Sequence, residues 1–489
     1  MSSSSERLEM AAADTDTGSD SDSGEADGPG RLRRLAPVLT GLTAFVCLLG
    51  WLQKQPCASA KFDFIQTTTN ACYTDIYPLY YVRGLSEGKT PYFDALTATG
   101  SDIQYVEYPV LSGAFMQVVA WLAQPFDESA RGMAFFNITA LLLAVLAVVA
   151  VLATAYVAGR RSLRAGLMVA LSPSLLLTAY INWDLLAVAL SALALAAWSA
   201  RRPALAGVLL GLAIAAKFYP LLFLGPLVLL CVRAGQWRAL GRMLAGTAGA
   251  WLAVNLPVML FAWDGWKEFY SFSQGRGIDW GSIFFFLQEH GLENVSSETG
   301  LLNLLGTGTF LVLAAGIAVL ALAAPRRPRL PQLMFLVLVA FMLPNKVWSP
   351  QYVLWLLPLV VLARPKLPAF VVWQIGEIIY FFGIWWFLLS VSAQTEGAYL
   401  ADTLSAVLAF DAPEGGISQE VYHLALLARF LTVLALAALV VWEILRPSAD
   451  VVRSDGVDDP AGGFLDGAND VISLGRWRGR HHAGVPAPS

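Results

Sequence analysis

Residues 72–84 read Cys-Tyr-Thr-Asp-Ile-Tyr-Pro-Leu-Tyr-Tyr-Val-Arg-Gly, and the side of the chain on which they lie decides how the rest is arranged. The stretch follows the first strongly apolar segment and precedes the next long one. It carries one acid, Asp75, and one base, Arg83, in an otherwise aromatic and apolar run. Asp75, Leu79 and Arg83 are spaced i, i+4 and i+8, so a helix puts them on one face. Two readings are open. One is an amphipathic surface helix capped by Asp75. The other is a carboxylate held for chemistry at a membrane surface, which requires further polar groups on the same side.

Composition sets the class. The chain is 57% hydrophobic and 14% charged, with a mean hydropathy of +0.59. Apolar runs of membrane-spanning length recur, which predicts an all-α polytopic membrane protein. The net charge of −4 says little, because the acids cluster in the tails. No basic stripe is present, so nucleic acid is not an expected partner. Of four cysteines, Cys47 and Cys231 fall in or beside apolar spans. Cys57 and Cys72 flank a polar stretch. A disulfide between them would persist outside the cell and stabilise by roughly 3 kcal/mol; two free thiols is the alternative.

Basic clusters orient the spans. Residues 1–30 are rich in Ser, Asp, Gly and Ala and predict a disordered, acidic cytoplasmic tail. Arg31, Arg33 and Arg34 abut the first span, about 35–53, and hold that tail inside. The later clusters are Arg160/Arg161/Arg164, Arg201/Arg202, Arg233/Arg238/Arg242, Arg326/Arg327/Arg329, Arg364/Lys366 and Arg446. Apolar segments come in pairs between them: 165–180 with 184–200, 204–216 with 218–232, 239–262 with 304–324, 331–346 with 351–363, and 369–392 with 420–445. Before Arg160 there are three segments, near 35–53, 108–125 and 133–158. Three crossings would leave Arg160–Arg164 outside, against the charge rule. The segment 108–125 is therefore assigned as an external interfacial or re-entrant helix. The expectation is a membrane domain over 31–445 with about twelve spans, multi-pass in the plasma membrane, both termini cytoplasmic. It has a large external loop over 54–132, a second over 263–303, and a disordered cytoplasmic tail over 446–489.

This sidedness gathers polar residues on the outer face. Asp75, Arg83, Glu107 and Tyr108 are there, with Asn182, Asp184, Lys217, Tyr219, Lys346, Gln351 and Tyr352 on external turns. The second loop adds Asp264, Arg276, Asp279 and His290. Lys217 and Lys346 each end an apolar run away from the basic clusters. Snorkelling to headgroups and binding of a phosphate are both open for them. Gln351 and Tyr352 follow Pro350 near a span start, where free backbone N–H groups suit an anion. Arg83 is the third phosphate candidate. Glu107, Tyr108, Asn182, Asp184 and Tyr219 are candidate substrate-binding groups. Glu377 is an acid inside an apolar run and is expected to face the bundle interior. No Gly-rich phosphate loop, metal-ligand cluster or external DxD pair is seen, so a metal-independent reaction without cofactors is expected.

The motifs YTDIYPLY at 73–80, VEYP at 106–109, NWDLLAVAL at 182–190, GLAIAAKFYPLLFL at 211–224 and KVWSPQYVLWLLPL at 346–359 resemble those of the GT-C membrane glycosyltransferases. The closer resemblance is to the actinobacterial polyprenyl-phosphate-mannose-dependent mannosyltransferases of glycosyltransferase family 87. That resemblance implies a GT-C-like bundle with external juxtamembrane helices. It also implies an extracytoplasmic active site, a polyprenyl-phosphate sugar donor and inversion at the anomeric carbon. Asp75 matches the Asp of the first external loop and would be the general base. The expected function is hexosyl transfer, with mannose favoured, to a glycolipid or glycan acceptor of the envelope. A flippase or transporter of lipid-linked saccharides is the alternative, and a scaffold in an envelope assembly the third reading.

Overall fold

The computed structural model describes residues 28–96, 103–291, 299–393, 404–410 and 414–472, and among them the chain is helical, without strands. The acidic N-terminal stretch and the basic Gly-Arg-Trp-Arg end, with His481 and His482, lie outside the described residues. In chain order come α1 (Gly28–Gln53), α2 (Ile76–Val82), α3 (Val110–Ala123) and α4 (Arg131–Val157). Then follow α5 (Ser162–Ala170), α6 (Pro173–Thr178), α7 (Asp184–Ser199) and α8 (Pro203–Ala216). Next are α9 (Leu224–Ala234), α10 (Trp237–Phe261), α11 (Trp263–Gly275) and α12 (Thr299–Ala323). Last are α13 (Leu330–Met342), α14 (Val353–Ala363), α15 (Leu367–Ala393) and α16 (Gln419–Leu445).

Among the described residues six helices are long and apolar enough to cross a membrane: α1, α4, α10, α12, α15 and α16. The expectation of about twelve crossings reaches only that far. A 14-residue helix such as α8 extends about 21 Å, short of a hydrocarbon core of about 30 Å. The segment read as one span over 165–180 is broken in two, because Pro173 disfavours helix at the residue before it; Ser172 is extended there. α3 has 14 residues and is likewise too short to cross.

The core sits on the α13–α14 hairpin. Every residue of α14 is buried, and so are twelve of thirteen in α13, the pattern of helices packed on all sides. Trp183, Trp198, Trp348, Trp373 and Trp386 are among the largest fully buried side chains of the bundle. α8 lies against α10 through glycines. A Cβ at Gly207 or Gly211 would strike the carbonyl of Met243 or Thr247, so small residues let these backbones approach.

Helix polarity sorts the ends of the bundle. One end collects the C-termini of α7, α9, α14 and α16 and the N-termini of α8 and α13, and with them Arg233, Arg327, Arg329 and Arg364. Residues 447–472 were expected to be disordered; they are folded across this end instead. The Arg329 Nε meets Asp450 Oδ2 at 2.7 Å, and Arg327 and Arg233 both meet Asp470, each at 2.8 Å. Asp459 accepts from the Leu330 N–H at 2.8 Å, and Trp198 Nε1 donates to the Gly462 carbonyl at 2.8 Å. The Gly- and Asp-rich composition looks like a tail because few apolar residues are present. Its acids are spaced to match arginines that would otherwise be buried alone.

Arg329 is 1% exposed, so Asp450→Ala leaves a buried cation unmatched and should destabilise by about 3–5 kcal/mol. Thermal unfolding of the purified protein in a fixed detergent measures this. A melting temperature equal to wild type would show that the segment only rests on the bundle.

Candidate active site

The opposite end of the bundle opens into a cavity of about 650 Å³. Its wall brings together Asp75, Arg83, Glu107, Tyr108, Asn182, Lys217, Gln351 and Tyr352, all expected from sequence, with Tyr73, Arg276, Asp279, Trp280, Tyr380 and Trp385.

Local structure places Asp75 first. The disulfide Cys57–Cys72 is formed and closes the loop that leads to it. Lys54, wholly buried, donates to the Tyr73 carbonyl at 3.0 Å. The Thr74 hydroxyl donates to the Tyr180 carbonyl and accepts from the Ile76 N–H at 3.1 Å. The Asp75 N–H donates to the Ile181 carbonyl at 2.7 Å. Thr74 thus serves the start of α2, and the Asp75 side chain makes no capping bond. This removes the surface-cap reading. The carboxylate is left to accept from the Tyr73 hydroxyl at 2.7 Å. Asp75, Leu79 and Arg83 all face the cavity, as their helical spacing requires. Burial pushes the Asp75 carboxyl up to about 6, against the opposing pull of the Tyr73 hydroxyl and Lys217.

The neighbouring cations are already matched. Arg83 forms a two-point bond with Glu107, Nε to Oε2 and NH2 to Oε1, both 2.6 Å. Arg83 is thus held by Glu107 and not left free. Lys217 meets Asp184 at 2.7 Å, and the Trp355 indole donates to the other Asp184 oxygen at 2.9 Å. Tyr219 stacks on Trp355 at 4.4 Å, and Tyr352 stacks on its other side at 3.7 Å. Asp184 and Tyr219 lie behind the cavity wall, 1% and 3% exposed; their part is to hold Lys217 and Trp355. Lys346 is not at the Lys217 site. It faces a smaller adjoining cavity of about 100 Å³, with its ammonium on the Gln274 carbonyl at 2.8 Å.

The loop after α11 supplies the residues that sequence reading left unassigned. Asp279 donates its N–H to the Lys346 carbonyl at 2.8 Å, and its carboxylate accepts from Ser349 at 3.3 Å. A clamp on α16 holds this loop from behind. Arg429 is fully buried, with its guanidinium 3.4 Å from the Tyr380 ring centre and 4.2 Å from that of Trp348. It donates to the Gly281 carbonyl at 2.6 Å and the Trp348 carbonyl at 3.0 Å. Tyr422 donates to the Trp280 carbonyl at 2.8 Å. Glu377 accepts from the Trp373 indole at 2.9 Å and lies within the bundle. Arg276 and Asp279 were visible on the external loop, but nothing in their spacing tied them to Asp75. Tyr380 and Trp385 sit in a run that is apolar all round, and its period singles out no face.

A sequence model of glycosyltransferase family 87 matches residues 105–350, half of the chain. The chain belongs to glycosyltransferase family 87. No curated protein matches it. The family 87 match takes in Glu107, Tyr108, Asn182, Lys217, Arg276, Asp279 and Ser349 of the cavity wall. It starts after Asp75 and ends before Gln351. The first loop and α15, which also line the wall, lie outside the matched residues and bring Tyr73, Asp75, Tyr380 and Trp385; the clamp residue Arg429 on α16 lies outside them too.

Arg429→Met keeps the bulk and removes the hydrogen bonds to the Gly281 carbonyl of the loop and to the Trp348 carbonyl. Amide exchange at residues 281 and 282 should then quicken by about tenfold or more. Mass-spectrometric hydrogen exchange reads this directly, and unchanged protection would show that the loop is held without Arg429.

Proposed function

We propose that this glycosyltransferase moves a hexosyl group, mannose being favoured, from a polyprenyl-phosphate donor to a glycolipid or glycan acceptor of the cell envelope. The reaction is inverting and metal-independent, and it takes place on the extracytoplasmic face of the plasma membrane. The observation that carries the reading is Asp75. It is a carboxylate in the cavity wall, oriented by Tyr73, with no cation ion-paired to it among the described residues.

The chemistry follows from that placement. The acceptor hydroxyl gives its proton to Asp75 as its oxygen attacks the anomeric carbon. The bond from that carbon to the phosphate oxygen breaks, and the polyprenyl phosphate leaves with the electron pair. A single displacement of this kind needs one base and inverts the centre. A carboxyl that titrates near 6 is ionised at neutral pH and still basic enough to accept the proton.

The charges favour a modest anion. Arg83 is matched by Glu107 and Lys217 by Asp184, so Arg276 is the one lining cation without an ion pair among the described residues. A glycosyl phosphodiester brings a single negative charge. A nucleotide-sugar diphosphate brings more, and usually a metal with it. Lys217 then acts on Asp75 rather than on the donor, opposing the rise that burial causes. The Cys57–Cys72 disulfide supports the outward placement, because such bonds persist in oxidising compartments. The exposed aromatic face of Trp280 beside Asp279 suits sugar rings and hydroxyls.

The test is transfer from labelled polyprenyl-phosphate sugars by the purified protein, supplied with envelope glycolipid extract as acceptor. Asp75→Asn should fold normally and lose at least about 100-fold in rate. Because the Asp75 pKa is raised, the active carboxylate is depleted below about pH 6; kcat/KM should rise with pH to about 6 and then level. A chelator should leave the rate unchanged. Asp75→Asn at wild-type rate, or no transfer from any such donor by folded protein, would overturn the reading.

A further inference from the structure

Resting on a lipid-phosphate donor, we propose that Arg276 and Lys346 together seat the phosphate of an isoprenoid phosphate at the lip of the cavity. Its hydrocarbon chain lies in the slot between α12 and α13.

The loop after α11 wraps around Lys346. The Lys346 ammonium donates to the Gln274 carbonyl at one end of the loop, at 2.8 Å. Its backbone carbonyl accepts from Asp279 at the other end, also at 2.8 Å. Ser282 donates to the Asn345 carbonyl at 2.7 Å and closes the turn. Arg276 lies on this loop between the two ties, so the loop that carries it is fixed to Lys346 at both ends.

Neither cation has a carboxylate within ion-pairing distance among the described residues. Lys346 is only 9% exposed, and one carbonyl takes one of its three N–H donors, leaving two. Burial, and then the charge of Arg276, hold its ammonium below the usual lysine range. Arg276 is exposed, but a like charge near the largely buried Lys346 is unfavourable unless an anion offsets it.

The two cations face different spaces. Arg276 looks into the large cavity that contains Asp75. Lys346 looks into the adjoining slot, whose walls are Leu302, Phe310, Phe341 and Pro344. One side of the slot is α12, which leaves Leu304, Leu311 and Val312 59–72% exposed and is otherwise bare to the lipid. Asn303 ties α12 to the loop by donating to the Gln274 carbonyl at 3.1 Å. An anionic head between the cations thus has an apolar channel on one side and the reaction cavity on the other. A lipid with a phosphate at its end and a sugar beyond it fits both, whereas free phosphate leaves the slot unused.

The test is a titration of farnesyl phosphate into the full-length protein in zwitterionic nanodiscs, followed by intrinsic tryptophan fluorescence. Wild type should bind saturably. Arg276→Gln and Lys346→Gln, each with a wild-type melting temperature, should each weaken binding about tenfold or more. Thr307→Trp, which fills the slot, should weaken farnesyl phosphate as well. Farnesol and inorganic phosphate should both bind far more weakly than farnesyl phosphate. Adding an anionic bilayer lipid should not compete.

Farnesol binding as tightly as farnesyl phosphate would reduce the site to an apolar slot and overturn the proposal. Inorganic phosphate binding as tightly would reduce it to a free-anion site, and competition by the anionic lipid would make it a headgroup contact; either overturns it. So would full affinity in both cation variants, even if polyprenyl-phosphate sugars prove to be donors. If the variants lose binding while no such sugar is transferred, the seat stands and the assigned reaction falls.

Discussion

Most charges buried at the two ends of this bundle stand beside an opposite charge, because an unmatched buried ion is costly. At one end, Arg233, Arg327 and Arg329 are answered by Asp450 and Asp470 of the C-terminal segment. At the other, Arg83 is answered by Glu107 and Lys217 by Asp184. Three groups at the cavity depart from this pairing. Asp75 faces the cavity with only a tyrosine hydroxyl on it. Arg276 lies on a loop tied at both ends to Lys346, and neither has a carboxylate within ion-pairing distance among the described residues. A base without a cation and cations without an acid complement a neutral hydroxyl and an anionic leaving group.

Precision at Asp75 comes from its neighbours. The disulfide, Lys54 and Thr74 fix the backbone on either side, and the Asp75 N–H is tied to the turn before α7. The first loop is thereby registered against the family 87 part of the chain. The opposite wall is fixed the same way, with Arg429 and Tyr422 reaching from α16 to the 280–281 carbonyls. Both walls are loops held at their backbones, so the cavity keeps its shape without a regular element on every side.

Much of this was legible in the sequence. The apolar segments between arginine clusters became helices near the expected limits, and the i, i+4, i+8 spacing put Asp75, Leu79 and Arg83 on one cavity-facing side. The reading failed where pairing decides the outcome. Arg83 and Glu107 look like two separate polar residues until a fold brings them within 2.6 Å. Lys217 and Lys346 both end apolar runs, yet one faces the large cavity and the other the slot beside it. The segment after Arg446 looks unable to fold because composition reports apolar content, not the match of aspartates to distant arginines. The count of about twelve spans is supported for six, because half of the apolar helices among the described residues are only 13–16 residues long. Arg429 gives no local sign at all, since its partners are carbonyls of residues 81 and 148 positions away.

A lone base acting in one displacement has a stereochemical consequence. Proton NMR of the product formed from a donor of defined anomeric configuration tests it most directly. The account predicts a glycosidic bond of the opposite configuration to the donor's. Retention of configuration would require a second displacement, with a nucleophile that this arrangement of Asp75 does not provide, and would contradict the account.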